Sequence, residues 1–434
     1  MQSTLNLLLV YLLPIGILLI AAGALEERRV ARASTVATIA FALALIVYGL
    51  VGFGIQFGGI GLVNNTAGLK SFIREWSPLD VAVGPGWGII GLAGFLVSLT
   101  PPNADVMSLY LFQAALAGTA VLIPVLAVAA RVRSRTILLG ALLLGIIVFP
   151  LVGNWVWGGG WLSQLGNNGA GLGHGLVDLA GSGAVFLFGG FAALGALIGA
   201  GARTHTQVTT AANTPEFPSA HLPLLMILGS FLFLIGLGIV AIADPFALKT
   251  WPTQLILLNL VNAAVAGTLV ATLYGWFVSG EPAPMLAARG AVAGMVAVAA
   301  SLAFVPPWAA LLIGGVAGLL LPLATYVIER WLRIDDKALV VSTFGVAGIW
   351  GLLALAIFAD GQNGVGWNNT GAATYLGVPS QGVTGIFALS QFVPDSPGQM
   401  EAQFFGVVAI GLFAFVTSWL IFFGLSKIGG GAEE

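Results

Sequence analysis

The chain lacks cysteine altogether and is poor in charge, since only 7% of its 434 residues are Asp, Glu, Lys or Arg. Without thiols there are no disulfides, iron–sulfur clusters or thiolate metal sites. Only three histidines are present, His174, His205 and His221, and carboxylates are rarely clustered. Neither a metal centre nor acid–base catalysis therefore has the side chains that it needs. We expect a protein that is not an enzyme, uses no metal or other cofactor and, at a net charge of −2, binds no nucleic acid.

Apolar residues are abundant instead, at 58% of the sequence, and the mean hydropathy is +1.01. So little polar surface cannot coat a soluble globule. Runs of about 20 apolar residues, the length that crosses a hydrocarbon core, recur eleven times. They lie near residues 5–24, 35–57, 106–130, 136–153, 175–201, 222–243, 253–279, 286–302, 307–328, 338–359 and 402–426. The predicted fold class is an all-α polytopic membrane protein with eleven transmembrane helices, a single membrane domain over residues 1–434 in a lipid bilayer.

Loop charges predict the orientation of these spans. Twelve basic residues fall on one side, and only Lys70, Arg74 and Lys249 fall on the other. The basic side is taken as cytoplasmic, which puts the N-terminus outside and the C-terminus inside a cell inner (plasma) membrane. The twelve basic residues on the cytoplasmic side are Arg28, Arg29, Arg32, Arg131, Arg133, Arg135, Arg203, Arg289, Arg330, Arg333, Lys337 and Lys427. A further apolar stretch, Val81 to Leu99, is interrupted by glycines and is interpreted as an external or re-entrant element.

One carboxylate, Asp178, is the only ionisable residue predicted to lie inside a membrane-length apolar segment. A charge there is costly and marks function by default, although a carboxylate satisfied by a helix start or a neighbouring loop is the ordinary alternative. Phe186 lies eight residues, roughly 12 Å of helix, further along. Polar segments 58–80, 158–171 and 360–400 are predicted to form an external cap around an entrance, and segment 203–221 to be cytoplasmic.

Several motifs resemble those of the ammonium transporter (Amt/Mep/Rh) superfamily. In NWVWGGGWLSQLG followed by DLAGSGAVFLFGG, a Trp-Gly-Gly-Gly precedes an Asp, and Phe186 occupies the position of the family's first pore histidine. FQAAL, HLP and DDKALVVSTFGVAGIWG are also similar, and the last places Phe344 at the second pore-histidine position. The resemblance implies two inverted five-helix repeats plus a long eleventh helix, assembled as a homotrimer with one pore in each subunit.

The departures from the family pattern bear on the pore. Phenylalanine replaces both facing histidines, Leu116 aligns with one phenylalanine of the family's outer gate and Val240 with the other, and Gln113 matches a glutamine near that gate. The predicted pore-lining residues are therefore Phe186, Phe344, Leu116, Val240 and Gln113. Two imidazoles can relay a proton, whereas two benzyl groups offer only an apolar wall. We expect the two rings to touch or to face each other across one narrow lumen.

Substrate recruitment is assigned by the resemblance to Trp157, through a cation–π contact, and to Asp178, which orients groups beneath the entrance. Trp157 also fits an interfacial anchor, and Gln113 fits an ordinary hydrogen bond between helices. Asp244 is either a solvated loop end or a group that attracts cations.

The family resemblance implies passage of ammonium or ammonia, or of another small neutral solute such as carbon dioxide, through a hydrophobic pore. The alternative, motivated by the loss of both histidines and the gate, is a nonconducting relative that acts as a sensor or assembly partner. A third hypothesis is a carrier for a different solute, recognised by Trp157 and the loop 360–400. Because the chain stops at SKIGGGAEE, without the family's regulatory tail, a nitrogen-signalling partner is not expected.

Overall fold

The computed structural model describes residues 4–97, 103–201, 220–246, 252–334, 336 and 340–429. Eleven long helices make up most of this part of the chain. They are α1 (Thr4–Ala24), α2 (Glu27–Leu62), α3 (Ala104–Val128), α4 (Ser134–Trp157), α5 (Ser182–Gly199), α6 (Pro223–Ile242), α7 (Thr253–Ser279), α8 (Pro284–Ala299), α9 (Pro307–Trp331), α10 (Val341–Phe358) and α11 (Gly398–Ile428). Wide π-helical turns open both α5, at Ser182–Leu187, and α10, at Val341–Val346.

Each predicted apolar window coincides with one of these helices, so the all-α polytopic fold class is confirmed. Ten of the helices in the described residues are long and apolar enough to cross a membrane, whereas α8 has 16 residues. One boundary is wrong. The fifth window starts at residue 175, but α5 begins at Ser182 because the preceding residues are irregular and hydrogen-bonded to other elements.

The short α8 ends where its last carbonyls serve the segment before α5. The backbone N–H of Leu179 donates to the carbonyl of Ala300 at 3.3 Å. That of Ala180 donates to Ala299 at 3.1 Å. The hydroxyl of Ser182 accepts from the N–H of Ala300 at 2.8 Å. The segment before α5 therefore satisfies the hydrogen-bonding groups at the end of α8 and is fixed against it.

Helices α5 and α10 cross closely at the centre of the molecule. A Cβ on Gly190 would collide with the backbone of Gly345, and one on Gly348 would collide with the backbone nitrogen of Leu187. Residue 345 lies 158 positions after residue 187, and residue 348 lies 158 positions after residue 190, so each pair occupies equivalent positions of α5 and α10. The contact of 190 with 345 is therefore repeated, about a two-fold axis, as the contact of 348 with 187. Helices α5 and α10 run antiparallel where they cross.

Helices α1 and α6 pack in the same reciprocal way. A Cβ on Gly16 would lie 2.6 Å from the carbonyl oxygen of Gly229, and one on Gly229 would lie 2.7 Å from that of Gly16. Such close backbone approach is what small residues permit in membrane helices. Both self-paired crossings agree with the predicted inverted repeat of α1–α5 and α6–α10.

The polar segments between helices contact one another and form a cap at one end of the helices. Two small antiparallel pairs lie here, β1 (Glu75–Trp76) with β2 (Ile90–Gly91) and β3 (Thr374–Tyr375) with β4 (Val378–Pro379). The amide of Asn369 donates to the carbonyl of Val63 at 2.9 Å, and that of Asn167 donates to Asn368 at 2.7 Å. Up to residue 97, the stretch that begins at Val81 contains a short helical turn and β2 rather than a span. The predicted cytoplasmic segment lies outside the described residues from 203 to 219.

Candidate solute pathway

The chain between α4 and α5 enters the protein as an irregular, non-helical segment, residues 174–181, held by two glutamines of α11. Gln399 accepts from the N–H of His174 at 3.0 Å and donates to the carbonyl of Gly175 at 3.0 Å. Gln403 accepts from the N–H of Val177 and donates to its carbonyl, both at 2.9 Å. Because the two glutamines lie one turn apart on a single helix face, they supply the partners that a buried non-helical backbone requires.

Asp178 lies in this segment and caps α5. Its carboxylate accepts from the N–H groups of Gly181 at 3.1 Å, Gly183 at 3.0 Å and Ala184 at 2.8 Å. Burial raises the pKa of Asp178 to about 6, and the backbone hydrogen bonds oppose that shift. The structure corrects its predicted position, because Asp178 precedes the helix rather than lying within a span. Its hydrogen bonds are those of the ordinary alternative, a carboxylate satisfied by a helix start.

A cavity of about 230 Å³ opens beside Asp178 within the cap. Trp157, the last residue of α4, also lines it, and its indole N–H donates to the carbonyl of Asp178 at 2.8 Å. The structure thus brings the two predicted recruitment residues together. We call this cavity the vestibule; it is lined by Ile60, Val63, Asn64, Val156, Trp157, Gly159, Ser163, Gln164, Leu176, Asp178, Asp244, Phe246, Val365, Gly366, Trp367, Asn368 and Asn369.

The vestibule combines negative charge with aromatic surface. Asp244 follows the end of α6, and burial raises its pKa to about 6, with an opposing hydrogen bond from the N–H of Phe246. The carboxylate is therefore mostly ionised at neutral pH. Trp157, Phe246 and Trp367 add aromatic rings, which attract cations through their π faces. The volume far exceeds the roughly 10–15 Å³ that one water requires, so a small hydrated cation fits.

The rings of Phe186 and Phe344 meet where α5 crosses α10. Their centroids are 5.9 Å apart and their planes differ by 15°, a stacked arrangement. Their exposed fractions are 0% and 1%. The expected approach of the two rings is therefore observed, and an apolar contact occupies the place where the family resemblance implies two imidazoles.

A third ring, which sequence reasoning missed, closes on this pair. Phe233 of α6 lies 5.6 Å from Phe186 and 6.5 Å from Phe344 between centroids, and it is fully buried. We call the three rings the aromatic triad. Helix α6 is apolar on every face, so no periodicity distinguished this residue from its neighbours. The available signal was that Phe233 lies two helical turns before Val240 and so shares its face.

The other predicted pore-lining residues are buried elsewhere in the helical core. Gln113 accepts from the amide of Gln56 at 3.1 Å, and Gln56 accepts from the hydroxyl of Tyr48 at 2.9 Å. Gln113 thus links α3 to α2, which is the alternative stated for it. Leu116 and Val240 are each 1% exposed, and among the described residues neither lines the vestibule.

The second repeat has a capping carboxylate of its own, Asp336. Its oxygens accept from the N–H groups of Val340 at 2.8 Å and Val341 at 2.7 Å. Eight residues separate Asp336 from Phe344, which is the spacing found between the capping aspartate and the ring residue of the first repeat. Because α5 and α10 are antiparallel, the two carboxylates lie on opposite sides of the aromatic triad.

Arg289 requires a second correction to the sequence analysis. The loop-charge pattern groups it with the basic loop residues, but it falls in the apolar window 286–302, lies within α8 and is 1% exposed. Asp178 is therefore not the only ionisable residue in the predicted spans. Asp336 interacts electrostatically with Arg289 and with Arg131. Burial raises the pKa of Asp336 to about 6, while the capping N–H groups and the two arginines oppose the shift.

Known proteins share both the sequence pattern and the fold. The model of the Ammonium Transporter Family matches residues 3–432. The ammonium transporter Amt2 of Archaeoglobus fulgidus is 28% identical over 363 residues, which cover 82% of this chain and 70% of the relative. The ammonium transporter of Bacillus subtilis is 28% identical over 359 residues, covering 81% and 78%.

Two solved structures superimpose on nearly the whole chain. A structure titled "Sensor Amt Protein" has a TM-score of 0.75 at 22% identity and covers 99% of this chain and 93% of its own. Candida albicans Mep2 has a TM-score of 0.74 at 18% identity, covering 98% and 83%. At these identities the structural likeness establishes the fold, while the family match extends over almost all residues. The expectation of a transporter-type protein rather than an enzyme is confirmed, and the chain belongs to the Ammonium Transporter Family.

Proposed function

We propose that the chain carries ammonium nitrogen across the membrane as neutral ammonia, through an apolar passage in each subunit. The observation that carries this proposal is the stacking of Phe186 on Phe344, 5.9 Å apart, at the crossing of the two repeats. Membership of the Ammonium Transporter Family supports the solute. The vestibule, with Asp244 and Trp157, would gather ammonium at one end of the passage.

The proposal of a neutral solute follows from what the rings can and cannot do. A benzyl side chain neither donates nor accepts a hydrogen bond and cannot relay a proton. An ion that leaves the vestibule would lose its water without gaining polar partners, at a cost of several kcal/mol or more. A small neutral molecule loses much less. Ammonium therefore transfers its proton to water on the vestibule side, where the proton stays, and ammonia or another small neutral solute, such as carbon dioxide, crosses the aromatic triad.

A second function, that of a nonconducting sensor or assembly partner, is favoured by Phe233. This third ring lies within 6.5 Å of both others, and all three are at most 1% exposed. If the rings do not separate, the vestibule binds ammonium but nothing passes. The two functions therefore share the binding step and differ only in passage through the aromatic triad.

Flux into reconstituted liposomes separates the two functions. Purified protein in vesicles that contain a pH-sensitive dye is mixed with an ammonium salt, and the rate of internal alkalinisation is followed by stopped flow. The transport proposal predicts a faster rise than in protein-free vesicles of the same lipid, and a parallel carbon dioxide pulse tests the other solute. Equal rates, together with ammonium binding that Trp157→Ala weakens, would favour the sensor.

We extend the proposal to assembly and location on the strength of the family resemblance. The chain would form homotrimers in the plasma membrane, with each subunit containing its own aromatic triad. Mass measurement of the detergent-solubilised protein tests the assembly: a trimer is expected, and a monomer would overturn this part.

A further inference from the structure

The two repeats place equivalent carboxylates in different electrostatic surroundings. Asp178 and Asp336 each cap the π-helical start of a central helix, eight residues before a ring of the aromatic triad. Asp178 borders the vestibule and has Trp157 as its neighbour. Asp336 instead lies near two arginines. The helices are thus related by a two-fold axis, but the charges around the two carboxylates are not: arginines lie near Asp336 and none is found among the described residues that line the vestibule beside Asp178.

Arg289 is the residue that breaks the symmetry. It occupies the second turn of α8, is 1% exposed and interacts electrostatically with Asp336. Within the part of the chain that the structure describes, its Nε and Nη2 atoms have no hydrogen-bond partner. A buried guanidinium normally uses its fork of donors in hydrogen bonds. Arg289 therefore keeps much of its positive field, which acts on whatever enters this end of the passage.

A fixed positive charge of this kind discriminates between solutes. At 4 Å, two like charges repel by about 4 kcal/mol at an effective dielectric constant of 20. A neutral molecule experiences no such barrier, and arginines in pores exclude cations by this means. Asp336 does not offset the effect for an incoming cation, because its oxygens already accept from the N–H groups that start α10 and its single charge interacts with two arginines, Arg289 and Arg131.

We propose that Arg289 is a specificity-determining residue that bars cations from the Asp336 end of the passage, so that only a neutral solute can occupy it. The proposal rests on the proposed function in one respect, namely that the path through the aromatic triad is the route of the solute. It adds that selection against charge occurs twice, once at the rings and once at Arg289. It also predicts that the two ends differ, since cations bind at the vestibule but not beside Asp336.

The test is the number of ammonium-sized cations bound per subunit, which does not depend on flux. Thallium(I) or rubidium ions are soaked into crystals of the full chain and located by anomalous scattering, and binding in detergent is measured by titration calorimetry. In the wild type we expect no ion beside Asp336. Arg289→Ser should gain one ion there, so the stoichiometry rises by one. Arg289→Lys, which keeps the charge, should not gain it.

Two further variants keep the test decisive. Arg289→Gln has a similar size and no charge, so it serves if the serine variant does not fold, and it should also gain the ion. The double variant Arg289→Gln, Asp336→Asn should lose the added ion again. An ion beside Asp336 in the wild type, or no gain in either neutral variant, would overturn the proposal. Failure of the proposed function is a separate result, since it would appear as wild-type flux equal to that of empty vesicles.

Discussion

Replacing Phe233 with alanine tests whether three rings, rather than two, close the passage. Phe233 is fully buried, and its centroid lies 5.6 Å and 6.5 Å from the other two rings. Removing a buried phenylalanine costs about 3–5 kcal/mol of unfolding free energy, of which each ring pair contributes roughly 0.5–1.5 kcal/mol. The same change frees space beside Phe186 and Phe344. If the ring contributes only about 1.4 kcal/mol to the barrier, ammonia flux rises tenfold.

The assay has two readouts, thermal unfolding in detergent and alkalinisation of proteoliposomes. Phe422→Ala is the matched control, because Phe422 is equally buried but lies on α11, where it packs on Gly140 rather than in the aromatic triad. Both variants should lose stability, and only Phe233→Ala should gain flux. Equal flux in the two variants would refute the assignment of Phe233 to the barrier.

Three further changes test the vestibule, the cap of α5 and the buried histidine. Asp178→Asn replaces one carboxylate oxygen by an amide nitrogen and should lower the unfolding free energy by about 2–4 kcal/mol, because charge-assisted hydrogen bonds contribute roughly 1.5–3 kcal/mol each. Thermal unfolding measures this loss. Asp336→Asn should lower the stability by a similar amount. Trp157→Leu removes an aromatic face and should weaken ammonium binding by roughly 0.5–2 kcal/mol in calorimetry, with Trp161→Leu, outside the vestibule lining, as the control. Burial lowers the pKa of His174 to about 4. The stability that neutral His174 contributes is therefore complete above its unfolded pKa of about 6.5, and it falls by up to about 3 kcal/mol as the pH drops to 4. The variant His174→Phe should remove that part of the pH dependence of the unfolding free energy.

Each of these expectations has a contrary result. Unchanged stability in Asp178→Asn would mean that its hydrogen bonds do not hold the start of α5. Equal loss of binding in the two tryptophan variants would remove Trp157 from the recruitment site. Identical pH profiles for the wild type and His174→Phe would show that His174 titrates as it does in the unfolded chain.

The helices could be predicted from the sequence because continuous apolar runs of membrane length have few alternatives. The contact between Phe186 and Phe344 was also foreseeable, because the family resemblance aligns both residues with two pore histidines that face each other. The matching position of Asp336, eight residues before Phe344, becomes meaningful only once the structure shows that it caps α10.

Other features could not be read from the sequence. Residues 175–181 resemble the apolar helix that follows, and only the structure shows that they are non-helical and bonded to Gln399 and Gln403. Arg289 follows a short loop with prolines and a glutamate, so its charge is consistent with the cytoplasmic end of a span. Its burial and its electrostatic interaction with Asp336, which is distant in the sequence, are visible only once α8 packs against α10.

The most direct test of the central claim is the charge that accompanies ammonia. Proteoliposomes adsorbed on a solid-supported membrane receive an ammonium pulse, and the current is compared with the alkalinisation of the same preparation. The account predicts alkalinisation above that of empty vesicles with no protein-dependent current, because the aromatic triad and Arg289 admit only a neutral solute. A current that grows with the amount of protein and matches one charge per ammonia delivered would contradict it.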